Sequence, residues 1–217
     1  MIELNISIGN RKMGAIPSFS LPTGKTCSKE ACATCYKDGC YALAMERRLK
    51  TVRESWQKNL DLLKEDLIAC HDYLNWYFDS PNAPRLFRIH VGGDFFNREY
   101  FEMWRVIAKS HPRTIFMAFT KKYSLIHGFV CCGAIPQNLV LIASAWPGVE
   151  LPSWVPEYLP VAYMQDGTED RIPDDAHFCT GDCIGECNAH CWNMRAGDSV
   201  VFEKHGNGIK KVRKDHD

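Results

Sequence analysis

Eight of the chain's eleven cysteines stand in two short windows, and no other feature limits the possible folds as strongly. Cys27, Cys32, Cys35 and Cys40 follow the spacing C-x4-C-x2-C-x4-C, and Cys179, Cys183, Cys187 and Cys191 follow C-x3-C-x3-C-x3-C. Four thiols so close together have three uses: disulfides, a structural zinc, or an iron–sulfur cluster held by thiolates on short spacings. The total is odd, which suits complete pairing poorly. The first residues show no basic stretch leading into an apolar run, and nothing approaches a run of about eighteen apolar residues. A cytoplasmic chain without a membrane span is the expectation, and thiols there stay reduced. Metal is therefore the expected partner of all eight cysteines. For the loop at 26–42 an iron–sulfur cluster, [4Fe–4S] in type, leads over zinc and over free or paired thiols. Gly24 and Gly39 give that loop the freedom to wrap an inorganic core.

The second segment, 177–192, is different. As one helix, Cys179 to Cys191 would span roughly 18 Å, too far for one metal centre, so the segment is expected to bend at Gly181 and Gly185. Zinc and a second cluster stand level there. His177 and His190 lie close by, though a lone histidine is more often structural than a ligand. Cys70, Cys131 and Cys132 are expected to be buried packing residues.

Between the windows the pattern is strand, helix, strand. "ELNISIGN" alternates enough for a strand, and the stretch after it, punctuated by Gly14, Pro17, Pro22 and Gly24, reads as loop or short extended pieces. Val52, Trp56, Leu60, Leu63, Leu67 and Leu74 form one stripe of a long helix that Pro81 and Pro84 end. Continuous apolar runs follow at 86–91, 114–120, 138–144 and 160–165, and "SVVFEKH" reads as a closing strand. A helix capped by Asn97 and stopped by Pro112 separates the first two runs, and "SLIHGFVCC" is a short helix candidate after the second. Runs that are continuous rather than alternating suit strands covered on both faces. The expected fold is one α/β domain over 1–217: a partial (β/α) barrel or an open, mostly parallel sheet, with cysteine-rich cluster-binding loops at one end. Basic and acidic residues number 26 each, so net charge indicates neither a nucleic acid nor a membrane partner. The basic "KKVRKDHD" reads as a solvated tail.

In α/β folds, ligands bind beyond the carboxyl ends of the strands. "HVGGDFF" puts Gly92, Gly93 and Asp94 at such an end. Two glycines let a ligand approach the backbone, and an acid there can pair with an ammonium group. The plainer alternative is a tight turn with Asp94 capping the next helix. Lys121, Lys122 and Tyr123 follow the next strand and face either the same cavity or solvent.

A cysteine loop, a long helix and a strand ending in Gly-Gly-acid resemble, in that order, the opening of the radical S-adenosylmethionine enzymes. That resemblance implies a [4Fe–4S] cluster on the first cysteine loop and the amino group of S-adenosylmethionine at Gly92, Gly93 and Asp94. The chain departs from it in cysteine spacing and in having Asp94 where Glu is usual. A resemblance over nearly the whole chain is to the bacteriophage gene-product-88-like proteins. It is carried by "SIGNRKMGAIPSFSLPTGKTC", "CYA", "FRIHVGGDFFNREYFEMW", "FMAFTKK", and "CW" with "VVFEKH" near the end. The pattern maps onto Cys27, Cys35 and Cys40, and onto Cys179, Cys187 and Cys191; Cys32 and Cys183 stand outside it. It implies a phage-encoded protein of the host cytoplasm and names no reaction. Two functions are expected. One is an iron–sulfur protein, redox-active or radical-enzyme-like, acting on a small molecule or with a redox partner. The other is a non-enzymatic module, stabilised by zinc or a cluster, that engages a host protein or nucleic acid.

Overall fold

The four apolar runs lie side by side in one sheet. The computed structural model describes residues 2–35, 39–165 and 172–203, and the basic tail falls outside them. The strands are β1 (Ile6–Ser7), β2 (Ser18–Phe19), β3 (Leu86–Ile89), β4 (Ile115–Thr120), β5 (Leu139–Ala145), β6 (Val161–Gln165), β7 (His177–Phe178) and β8 (Ser199–Glu203). Their order is β1-β2-β3-β4-β5-β6-β8-β7, with every pairing parallel except β1 against β2. Of the two architectures left open by the sequence, this is the open, mostly parallel sheet, bounded at each edge by a two-residue strand. The helices are α1 (Lys29–Ala33), α2 (Tyr41–Arg48), α3 (Lys50–Glu65), α4 (Leu67–Asp79), α5 (Arg98–Ser110), α6 (Tyr123–Cys131), α7 (Val155–Tyr158) and α8 (His190–Asn193).

From β2 to β6 each strand pairs with the next in sequence, and the long helices collect on one face. Phe87, Ile89, Phe116, Ala118, Leu139 and Leu141 point to that face and pack with residues of α3 to α6, among them Leu60, Phe78, Trp104 and Ile126. The alternate residues Met117, Val140, Ile142, Ala162 and Val200 form a second, smaller core with Met13, Ile16, Trp192 and Met194. Pleating makes this division obligatory, since successive side chains leave a strand on opposite sides. The second face is thus covered by the N-terminal loop and the C-terminal cysteine segment. The Trp192 indole N–H donates to the Phe87 carbonyl at 3.2 Å and fixes that cover to the sheet.

Several expectations change. The long helix is broken at Asp66, which ends α3 and caps α4, its carboxylate accepting from the Ala69 N–H at 2.9 Å. A short acid that satisfies orphan N–H groups outweighs the apolar stripe running through it. The stretch read as loop or short extended pieces contains one such piece, β2, while the first strand is only two residues long. Cys70 is buried as expected, but Cys131 and Cys132 are exposed. They lie at the end of α6, past the stripe of Ile126, Phe129 and Val130 that the helix buries.

Candidate functional site

The carboxyl ends of β3 and β4 meet at Asp94. After Ile89 the chain turns through His90 (φ 66°) and Gly93 (φ 82°), which sets the Asp94 side chain beneath the end of β4. The Asp94 carboxylate accepts from the Phe95 N–H at 2.8 Å, the Thr120 hydroxyl at 2.7 Å and the Lys121 N–H at 2.9 Å. Burial pushes its carboxyl up, and these three donors oppose the rise. Asn97, not Asp94, caps α5 by accepting from the Tyr100 N–H. Asp94 therefore brackets two strand ends. The room expected at the glycine pair is filled by the protein itself. A Cβ on Gly92 would stand 2.2 Å from the Trp56 ring, and one on Gly93 would stand 2.7 Å from the Leu21 carbonyl oxygen.

The same turn anchors the first cysteine loop. The Asp94 N–H donates to the Thr26 hydroxyl at 3.1 Å, and that hydroxyl donates to the Pro22 carbonyl at 2.8 Å. Cys27 follows directly. Its sulfur accepts from the Gly24 N–H at 3.4 Å, and the Cys32 thiol donates to the Gly24 carbonyl at 3.4 Å. Ser28 caps α1, whose Ala31 carbonyl takes the Cys35 thiol at 3.4 Å. Burial pushes the Cys27 thiol up to about 12, and the nearby charges of Asp94, Cys32 and Cys40 push the same way. Burial also raises Cys35, against the pull of the Lys121 ammonium. The four sequence-predicted thiols thus share one neighbourhood with Asp94 and Lys121. The Lys121 ammonium donates to the Ser144 hydroxyl at 2.9 Å and lies 5.3 Å from the centre of the Trp146 ring. Tyr123 donates to the Ser144 carbonyl at 2.6 Å.

The second segment does bend, but only partly where expected. Gly181 takes φ 80°, while the sharper reversal uses Asn188 and Ala189, both left-handed, just before α8. Gly185 instead donates its N–H to the Asp182 carboxylate at 2.9 Å. The segment is pinned at both sides: the Cys179 N–H donates to the Val201 carbonyl at 2.9 Å and the Cys183 N–H to the Lys12 carbonyl at 2.8 Å. Burial raises Cys179 to about 11, Cys191 to about 12, and Cys183 above its ordinary value. Burial presses Cys187 the same way, but hydrogen bonds from Thr180 and His177 outweigh it and bring the thiol down to about 7. The rings of His177 and His190 stack at 3.9 Å, and the Nε2 atom of each is buried without a hydrogen-bond partner among the described residues. Each cysteine group is gathered closely enough for its members to feel one another's charge. Among the described residues, however, no group of three or more His, Cys, Asp or Glu side chains stands as one that could hold a metal ion. The Sγ atoms of Cys32 and Cys35 instead face the backbone carbonyls of Gly24 and Ala31.

Sequence reasoning missed Thr26, Thr120 and Arg88. Thr26 and Thr120 carry no signal beyond their places beside a cysteine and at a strand end. Arg88 did carry one: it is a cation inside a run that otherwise reads as a doubly covered strand, and such residues are rarely buried without a partner.

Residues 4–150 match the model of a family described as Gene product 88. The chain is 34% identical over 122 residues to the Gene 88 protein of Mycobacterium phage L5, covering 52% of this chain and 51% of that protein. It is 33% identical over 122 residues to the Gene 88 protein of Mycobacterium phage D29, covering 52% of this chain and 50% of the relative. The aligned part thus spans about half the length of the curated relatives. No solved structure matches the chain, so the likeness to radical S-adenosylmethionine enzymes gains no support from comparison. The family match includes the first cysteine loop and the Gly-Gly-Asp turn and stops before the second cysteine segment. On that match the chain belongs to the Gene product 88 family.

Proposed function

We propose that this chain is a metal–thiolate protein. Cys27, Cys32, Cys35 and Cys40 bind an iron–sulfur cluster at the carboxyl rim of the sheet, and Cys179, Cys183, Cys187 and Cys191 bind a second metal beneath the second face. The observation that carries this reading is the close grouping of each set of thiols, with burial raising Cys27 and Cys35 in the first and Cys179, Cys183 and Cys191 in the second. Buried thiols that also repel one another as thiolates gain nothing from being together unless a cation joins them. A metal reverses that balance, because its binding expels the thiol protons. Sulfur-only donor sets on short spacings select iron–sulfur clusters or zinc. One-electron transfer is the chemistry that an iron–sulfur cluster supplies when bound. Around the first group, Asp94 and Thr26 fix the loop to the strand ends, and Lys121 offsets thiolate charge at Cys35. The three hydrogen bonds that Asp94 accepts from its own chain favour this bracing role over that of an ammonium partner for S-adenosylmethionine. Zinc is the stronger candidate at the second group, where Cys179, Cys183 and Cys191 pack against the smaller core as a closed structural site would. The reduced host cytoplasm would be the setting for both.

Single serine variants test the assignment. Cys27→Ser, Cys35→Ser and Cys40→Ser should each lose iron, and Cys70→Ser, on α4, should retain it. Full iron content in all four variants, or equal loss in all four, would remove the first centre.

A further inference from the structure

The second face of the sheet is curled. Phe119 on β4 and Phe202 on β8 pack edge to face with ring centres 5.6 Å apart, although β5 and β6 stand between their strands. On a flat sheet three strand spacings would hold their backbones about 14 Å apart, so the sheet bends toward this side and makes it concave. Two cations stand at the carboxyl rim of the concavity. Ser144 alternates with Val140 and Ile142 of the smaller core and so leaves β5 on this side. The Lys121 ammonium donates to the Ser144 hydroxyl at 2.9 Å and lies 5.3 Å from the centre of the Trp146 ring. Arg88 leaves β3 on the same side, opposite to Phe87 and Ile89. Its guanidinium donates to the His90 carbonyl at 3.2 Å, the Met13 sulfur at 3.5 Å and the Tyr41 hydroxyl at 3.4 Å, and lies 5.2 Å from the centre of the Phe119 ring. Tyr41 in turn donates to the Val91 carbonyl at 2.5 Å, just past the end of β3.

We infer that this rim binds a small organic acid with two carboxylate groups, one held by Lys121 and Ser144 and the other by Arg88. The two cations are alike in what surrounds them. Each lies over an aromatic ring and donates only to neutral acceptors, and among the described residues neither pairs with a carboxylate. These contacts use one of the three N–H groups of the ammonium and three of the five of the guanidinium. Aromatic faces hold a cation in place without neutralising it, and a half-buried charge among neutral groups is a poor arrangement unless an anion faces it. The Ser144 hydroxyl accepts from Lys121 and keeps its own O–H to donate to a carboxylate oxygen. Phe119 lies between the two charges: Arg88 touches its ring, and Lys121 follows it by two residues, roughly 7 Å along the strand. That separation suits two carboxylates on a short carbon chain. In parallel sheets, ligands bind beyond the carboxyl ends of the strands, which is where these groups stand. The first cysteine loop borders the rim on both sides. Tyr41 meets Arg88, and a Cβ on Gly148, two residues past Trp146, would stand 3.1 Å from the Thr34 methyl group. None of the eight clustered cysteines takes part in holding the acid, so this site stands or falls apart from the metal centres.

The test is isothermal titration of the full chain with succinate, glutarate and adipate, with butyrate and inorganic phosphate as comparison anions. At least one of the diacids should bind, roughly 10-fold or more tightly than butyrate or phosphate, whatever the metal content of the preparation. Lys121→Met and Arg88→Met should each weaken that diacid roughly 10-fold or more, the loss of one charge-assisted contact. Ser144→Ala should weaken it less. Lys122→Met removes the same charge from the next position and should leave binding unchanged. If Arg88→Met does not fold, as judged by its melting curve, Lys121→Met and Ser144→Ala decide. Absence of diacid binding by the wild type, tighter binding of phosphate, equal weakening by Lys122→Met, or unchanged affinity in folded Lys121→Met or Arg88→Met would each overturn the site.

Discussion

Gly92 sets a sharp test of how the strand-end turn is built. Its φ is not in the left-handed region, so alanine is compatible with its backbone, and the whole cost of Gly92→Ala is steric. The added Cβ would stand 2.2 Å and 2.5 Å from two carbons of the Trp56 ring, against an optimal carbon–carbon separation of about 3.5–4.0 Å. Trp56 is 7% exposed and has little free space into which to retreat. Overpacking of this kind costs about 1–3 kcal/mol. For a chain of this size each kcal/mol moves the melting temperature by about 2–4 °C. Trp56→Leu alone removes buried ring surface and should cost somewhat less than the roughly 3–5 kcal/mol of a tryptophan-to-alanine truncation. Because the leucine vacates the space that the Cβ needs, the double variant should be less destabilised than the sum by about 1 kcal/mol or more. Thermal melts of the four proteins by circular dichroism complete the cycle. A Gly92→Ala protein that melts with the wild type, or two effects that simply add, would refute the reasoning and return the glycine's space to a ligand.

Two further outcomes follow from burial. Burial and the Arg88 charge hold His90 neutral, pushed down to about 3 from an ordinary 6.5, with Nε2 bonded to the Tyr100 hydroxyl at 2.9 Å. Below pH 6.5 the unfolded chain takes up a proton that the folded one refuses, so this stability is present above 6.5 and is lost as the pH falls toward 3. The loss amounts to about 2 kcal/mol at pH 5; His90→Asn, which tolerates positive φ, should flatten the slope of stability between pH 7 and pH 5 by that amount, and an unchanged slope would contradict the burial argument. The exposed Cys131 and Cys132 should be alkylated quickly in the native protein and the buried Cys70 only on unfolding, as peptide mass mapping over time would show; early labelling of Cys70 would place α4 wrongly.

The parallel strands were legible because a strand covered on both faces must be apolar at every position, and the runs ending in Thr120 and Ser144 satisfy that. The grouping of each set of four cysteines was legible from spacing alone. What escaped was set by single polar contacts. Asp66 breaks a helix that its neighbours would continue. Asp94 read as the partner of a ligand's ammonium group or as a cap because its sequence neighbours suggest only those, whereas its partners Thr120 and Lys121 are 26 and 27 residues away in sequence. The glycine pair read as an opening because the sequence cannot show that Trp56 lies across it. A covered second face was expected, but what covers it was not, since the cover comes from residues 13–16 and 192–194 at opposite ends of the chain.

The most direct measurement is the metal and acid-labile sulfide content of the wild-type chain, expressed and purified without oxygen, with its electron paramagnetic resonance spectrum after reduction. Iron and sulfide in equal amounts, about four of each per chain for the first group, are expected, accompanied by one zinc or a second set of the same. The reduced protein should give the paramagnetic signal of a thiolate-bound cluster. A colourless protein without iron, sulfide or zinc, with all eleven thiols free to titrate in denaturant, would contradict it.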